Sequence, residues 1–385
     1  GTNLIPDVTI QHDNTHPDAE HAVQQTLEAL WALPHPIVAI VPGAETGVEL
    51  ADVLATRVGT RNNGEELSEA RRNKYLMGER VRSQGVRAGQ QKMAYSTDDI
   101  DAFLKEFNPT PFKAIVKPLE SAGSDDVFLC TSKDEVKGAF NHINGKVNGL
   151  GCINEGALVM EYLDGTEYVI DSVSRDGVHK IITIWEYDKR SVNNANFVYF
   201  GMHCKSAAGK REQELVAYAR SVLDAMGIMN GPGHMEVKYT STGPCLVEVG
   251  SRCHGGEGTW QPIAQECLGY NQIDTNLDAY IHPDAFDAIP MEPVDILKSG
   301  CEVFLVAHQC GVVRNVPGID KIRTLPSFRR MEMTVQPGSQ LSPTVDCFTR
   351  PGSVQLVNDS PEALARDYEV IRSLEKDGLF EMADR

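Results

Sequence analysis

The stretch 233-GHMEVKYTSTGPCLVEVGSRCHGG-256 commits part of this chain to a two-stranded antiparallel ribbon. Met235, Val237 and Tyr239 alternate with polar partners, a Ser-Thr-Gly-Pro turn follows, and Cys245 to Val249 form a second apolar-rich run. With the turn centred on Thr242, Glu236 and Glu248 stand directly opposite each other. Like charges so placed destabilise a hairpin. A divalent cation between them would turn repulsion into shared ligation, and Mg²⁺ favours such hard oxygen ligands together with substrate phosphates. Arg252 just beyond is a permanent cation suited to phosphate or carboxylate. The other reading is an exposed strand face on which each acid is paired to a lysine.

The rest of the chain bounds what such a site could serve. Its 385 residues suffice for two or three domains with a substantial core. A net charge of −18 argues against a nucleic-acid backbone as partner. No apolar run approaches the roughly 18 residues needed to span a membrane, and no secretory signal is evident. Nine cysteines are scattered singly, with no Cys-x-x-Cys pair, which points to reduced thiols in a cytoplasmic setting.

Periodicity predicts helices over residues 17–33, 46–59, 65–85, 97–107 (with Thr97 as the cap), 132–143, 212–227 and 361–378. Strands are expected at 36–45 (a buried parallel-type run), 112–118, 127–130, 157–163, 167–174 and 178–188, with 191–200 as a loop. The fold class is therefore mixed α/β (α+β). Lys117 ends an apolar strand and faces the small-residue loop 121-SAGS-124, an arrangement able to hold phosphate oxygens. A lone lysine that snorkels to the surface is the alternative. The segment 160-MEYLDGTE-167 sets a strand end, an acid and a turn in sequence; its backbone could pair with an adenine edge, or it could be an ordinary hairpin. His203 and His254 are candidates for substrate contact or proton handling at an amine, or else structural. Trp185 and Trp260 would line a substrate pocket or belong to the core.

Taken in order, Lys74 in 71-RRNKYLMGERVRSQGV-86, 113-KAIVKPLESAGS-124, 159-VMEYLDGTEYVIDSV-173, 231-GPGHMEVK-238 and 247-VEVGSRCHGG-256 resemble the ATP-grasp superfamily. Within it the chain resembles the carboxylate–amine ligases of the L-amino acid (dipeptide) ligase type. The resemblance implies an N-terminal α/β subdomain (residues 1–95) and a small β-rich lobe (96–165). A larger antiparallel lobe with the metal site (166–290) and its C-terminal part (291–385) would follow, the two lobes sandwiching ATP. Lys74 and Lys117 would contact the phosphates, and the loop with Ser121, Gly123 and Ser124 would close over them. Met160, Glu161, Tyr162 and Leu163 would form the adenine hinge, with Glu167 near the ribose or metals. Glu236 and Glu248 would hold two Mg²⁺ ions, replaceable by Mn²⁺, and Arg252 would steady an acyl-phosphate.

The implied reaction joins a small carboxylate to an amine, releasing ADP and phosphate, in a cytoplasmic enzyme compatible with a homodimer. A thiol acceptor and a nucleotide binder without turnover are the rival readings. The chain departs from the family pattern in three places. Gly250 in 248-EVGSR-252 stands where the family has Asn, Asn73 where it often has Asp, and a Gly-rich first strand and loop are missing before residue 36.

Overall fold

The computed structural model describes residues 6–121 and 125–383. Three helices open the chain: α1 (Ala19–Trp31), α2 (Val48–Val58) and α3 (Lys74–Ser83). The strand expected at 36–45 is instead unpaired coil as far as Ala44, with Val38 63% exposed, and Glu45 begins a 3₁₀ turn. Apolar side chains alone do not make a strand; its backbone groups need a ladder, and no described strand lies alongside. The helix expected over 65–85 is broken into a single 3₁₀ turn, Glu69–Arg71, and α3. The break falls at Asn73, whose side chain caps α3 by accepting from the Tyr75 and Leu76 N–H groups at 3.0 and 3.1 Å. An Asn serves this purpose as well as an Asp.

A four-stranded antiparallel sheet follows, built from β1 (Gln91–Ala94), β2 (Ala114–Lys117), β3 (Phe128–Cys130) and β4 (Ala157–Glu161) in the order β1-β4-β2-β3. β1 lies within the expected N-terminal unit, yet it pairs with β4 through Gln91–Met160 to Ala94–Ala157. Helices α4 (Thr97–Glu106) and α5 (Lys133–Ile143) cover one face. Alternation sorts the side chains: Ala114, Val116, Ala157 and Val159 pack under the helices, while Ile115, Leu158 and Met160 point the other way.

The larger sheet has eight strands, beginning with β5 (Gly165–Arg175), β6 (Val178–Val192) and β7 (Ala195–Lys205). The loop expected at 191–200 is a tight hairpin. Asn193 and Asn194 form its two-residue turn with φ of 53° and 63°, which Asn tolerates better than most residues. Helix α6 (Lys210–Ala225) then leads into β8 (Gly231–Thr240) and β9 (Gly243–Gly250). Helices α7 (Gln261–Leu268), α8 (Gln272–Ile281) and α9 (Pro283–Ala288) precede β10 (Ser299–Phe304). The C-terminal part supplies β11 (Gly311–Asn315), α10 (Gly318–Arg323), β12 (Phe328–Met333), β13 (Gln340–Leu341), β14 (Gly352–Asn358), α11 (Pro361–Lys376) and β15 (Glu381–Met382). The sheet order is β12-β14-β10-β7-β6-β5-β8-β9, so C-terminal strands complete the same sheet that carries the opening hairpin. No described helix is long and apolar enough to cross a membrane.

Helix α4 is capped by Ser96 rather than Thr97: the Ser96 hydroxyl accepts from the Asp99 N–H, and the Asp99 carboxylate accepts from the Ser96 N–H at 2.9 Å. Ser96→Ala is expected to lower unfolding free energy by about 1 kcal/mol in urea titrations, and Thr97→Ala by far less. Equal effects from the two substitutions would contradict the assigned cap.

Candidate functional site

Glu236 and Glu248 are paired across the β8–β9 hairpin, but the turn alone does not bring them together. Thr240 pairs with Gly243 and Val237 with Leu246, a register that would put Glu236 opposite Val247. A β-bulge at this point inserts one extra residue, and the pairing beyond it becomes Glu236–Glu248. Val247 and Glu248 therefore both line one cleft, although they are neighbours in a strand.

That cleft lies between the two sheets and opens to solvent, with about 780 Å³ of space counting its open mouth. Ile115, Met160 and Leu163 form an apolar wall from the small sheet, with Tyr162 and Phe197 beside them. The large sheet contributes Glu167, Lys189, Tyr199, Glu236, Lys238 and Glu248, and Lys74, Lys117, Ser121 and Asp125 close one end. A mainly apolar slot with a few convergent charges is the usual form of a ligand site. Gly123 and Ser124, expected in the loop over the phosphates, lie outside the described residues.

The charges of the cleft are interlocked. Lys74 Nζ is 2.9 Å from Glu248 Oε2 and donates to the Ser121 carbonyl at 2.6 Å, so the first residue of α3 ties the hairpin to the loop. The Ser121 hydroxyl donates to Asp125 at 2.7 Å. Burial brings the Lys117 ammonium down to about 8, although Glu248 favours its charge. Burial alone would raise Glu248, but Lys74, Lys117 and Arg252 together hold it well below the usual carboxylate range. Glu236 goes the other way: burial, with Glu167 and Glu248 nearby, lifts it to about 7 against the pull of Lys189. Glu167 is clamped by Lys189 and by Lys238, the latter at 3.1 Å. Lys189 also sits 4.1 Å over the Tyr199 ring.

One step further along the same face lies a second network that sequence reasoning missed. Asp171, fully buried, accepts from Thr183 Oγ1 (2.8 Å), Trp185 Nε1 (2.9 Å), His234 Nδ1 (2.9 Å) and His254 Nδ1 (3.0 Å). Burial would raise its pKa; the two imidazoles and their hydrogen bonds hold it well below the usual range. The ligand atoms of Asp171, His234 and His254 lie within 4.8 Å of one another, a spacing that would suit a metal ion. Four hydrogen-bond donors already occupy the carboxylate, so the trio is a closed network rather than a vacant chelate. The signal was present in the alternation: Glu167 and Asp171 share one face of β5, as His234, Glu236 and Lys238 share one of β8.

His254 is thus held beside the site, with its backbone N–H donating to Gln272 Oε1 at 2.8 Å and its ring stacked 5.1 Å from Trp260. His203 is not brought there. It packs 4.9 Å from the Tyr368 ring of α11, on the opposite face, where burial lowers its pKa. Trp185 and Trp260 are fully buried in the core beneath the site. Arg252 donates through Nε to Glu45 Oε2 at 2.5 Å, a partner from the N-terminal segment that no local pattern announced.

The opposed acids, one held charged by lysines and one poised near neutrality, fit a divalent cation better than they fit each other. In chelator-treated protein the folded state keeps a proton on Glu236 that the unfolded chain has released, so stability from this group falls as pH rises from the usual carboxylate range through about 7. Glu236→Gln should flatten that limb of the melting-temperature profile. Parallel profiles for parent and variant would contradict the assignment.

The comparisons agree with this geometry. Residues 110–261 match the ATP-grasp domain family and residues 303–374 the L-amino acid ligase C-terminal domain 2. The chain is 32% identical over 349 residues to dapdiamide A synthase of Enterobacter agglomerans, covering 89% of this chain and 80% of that one. It is 22% identical over 304 residues to the L-arginine-specific L-amino acid ligase of Bacillus subtilis, covering 78% and 70%. The fold superposes on the crystal structure of an L-amino acid ligase from Bacillus licheniformis with a TM-score of 0.74 at 16% identity, over 95% of this chain and 84% of that one. Enzymes of this superfamily use ATP with Mg²⁺. This chain belongs to the ATP-grasp superfamily, among the carboxylate–amine ligases of the L-amino acid ligase type.

Proposed function

We propose that the chain joins the carboxylate of one amino acid to the amine of another, with ATP cleaved to ADP and phosphate. The observation that carries this reading is the pairing of two lysines, Lys74 and Lys117, with two opposed acids, Glu236 and Glu248, at one end of an apolar slot. Adenine lies against Ile115, Met160 and Leu163, at the hinge from Met160 to Leu163. Lys117 and Lys74 meet the phosphates; a phosphate would restore full charge to a lysine that burial has weakened. Glu167 stands by the ribose end, held by its two lysines.

Glu236 and Glu248 would hold two Mg²⁺ ions, with Mn²⁺ able to replace them. Bound there, the metal supplies Lewis-acid screening between one anion and another. A substrate carboxylate oxygen bonds to the γ-phosphorus as the bond to the ADP oxygen breaks, giving an acyl-phosphate. The amine nitrogen then bonds to the acyl carbon, phosphate leaves, and the nitrogen loses a proton. Arg252 stabilises the charge on the acyl-phosphate and the tetrahedral centre. His254, fixed by Asp171 with Nδ1 as donor, presents its other ring nitrogen as the acceptor for the amine proton. No enzyme nucleophile is required, and most of the rate comes from positioning and electrostatics.

The test is ADP and phosphate release from Mg·ATP against pairs of amino acids. Release is expected to require a particular pair and to vanish in Glu248→Gln. Lys117→Met should lower kcat/KM by about 100-fold or more. AMP and pyrophosphate as products would sink the reading.

A further inference from the structure

The N-terminal segment places a carboxylate inside the large-lobe site. Glu45 begins a single 3₁₀ turn, Glu45–Gly47, ahead of α2. Its Oε1 is 2.9 Å from Arg72 Nη1 and its Oε2 2.5 Å from Arg252 Nε. Arg72 is buried and Arg252 nearly so, and a buried guanidinium needs a partner to offset its desolvation. Arg252 Nη1 donates to the Cys253 carbonyl at 2.9 Å. With Nε and Nη1 both engaged, the planar group is fixed and only Nη2 has no partner among the described residues.

The residue that permits this is Gly250. It lies two positions beyond Glu248 on the same face of β9. A Cβ there would come 2.8 Å from Glu45 Oε2 and 3.4 Å from Arg252 Cγ. A side chain at position 250 would therefore displace the Glu45 carboxylate from its present place against Arg252. We propose that Glu45 is a positioning residue that orients Arg252 toward the acyl-phosphate, and that glycine at 250 is the accommodation for it. Gly250 is then not a lost ligand but a vacated space, filled from a remote part of the chain. The role given to Arg252 rests on the ligase reading above; the contact itself does not.

The test uses the full chain with Glu45→Gln, Glu45→Ala, Gly250→Asn and Arg252→Ala, alone and combined. Loss of Glu45 should lower kcat for ADP formation by about 10- to 100-fold, the scale of a misplaced catalytic group. KM for ATP, half-saturating Mg²⁺ and ADP binding by calorimetry should stay within about twofold, since Lys74 and Lys117 hold Glu248 ionised ahead of Arg252 and Glu45 touches neither lysine. Gly250→Asn should reproduce the kcat loss, and Glu45→Ala should cost nothing further in the Arg252→Ala background. Full activity in both Glu45 variants, or an undiminished effect without Arg252, would overturn the proposal. A rise in half-saturating Mg²⁺ with kcat preserved would make Glu45 a metal ligand and overturn it as well. A turnover-free readout accompanies these: in ADP-bound protein the Arg252 Nε–H NMR signal should be sharp in the parent and averaged in Glu45→Gln. A parent that binds ADP yet forms none from any pair would sink the ligase reading, and the Arg252 signal would still decide the contact.

Discussion

The lysine pair at the end of the cleft is the interaction on which the rest depends. Lys74 and Lys117 offset the burial of Glu248, while Glu236, whose main cationic neighbour is Lys189, is still pushed toward the neutral form. Glu248 is thus held ionised while Glu236 stays easily protonated. The same lysines pin the structure mechanically. Lys74 joins α3, the loop at Ser121 and strand β9, and Lys117 terminates the central part of the small sheet. One small set of charges thus fixes both the chemistry and the relation of the two sheets. In a chain with a net charge of −18, four lysines (Lys74, Lys117, Lys189 and Lys238) are gathered in this cleft, where they nearly balance its acids.

Much of this was legible in the sequence because it is local. Strand alternation placed Glu236 and Glu248 across from each other, and periodicity located α2, α4, α5, α6 and α11 to within a few residues. The register was right for an incomplete reason: the turn is centred between Ser241 and Thr242, and the bulge supplies the missing half step. His203 was named for its chemistry alone, and strand register decides which face it takes. A second bulge, where Asp188 pairs with Gly201 and Lys189 with Tyr199, leaves Phe200 unpaired and reverses the faces that follow. Counting by twos from Tyr199 in the cleft puts His203 there; the bulge turns it toward Tyr368 instead.

What could not be read was long-range. Glu45 is 207 residues from Arg252, and Asp171 is 63 from His234 and 83 from His254. No spacing rule spans such separations, and each residue alone looks like an ordinary surface acid or a core histidine. The run at 36–45 failed in the opposite sense. Its apolar composition suggested a strand, but composition cannot supply a neighbouring ladder, and its last residue proved to be the one that matters.

The bulge in β9 has an implication for how such a site can change over time. Because it sets Val247 and Glu248 on one wall, a single strand provides both an apolar surface and a carboxylate with no residue between them. The two features cannot drift apart by insertion or deletion: a length change here would alter both at once. Change at this wall is therefore confined to side-chain replacement at fixed length.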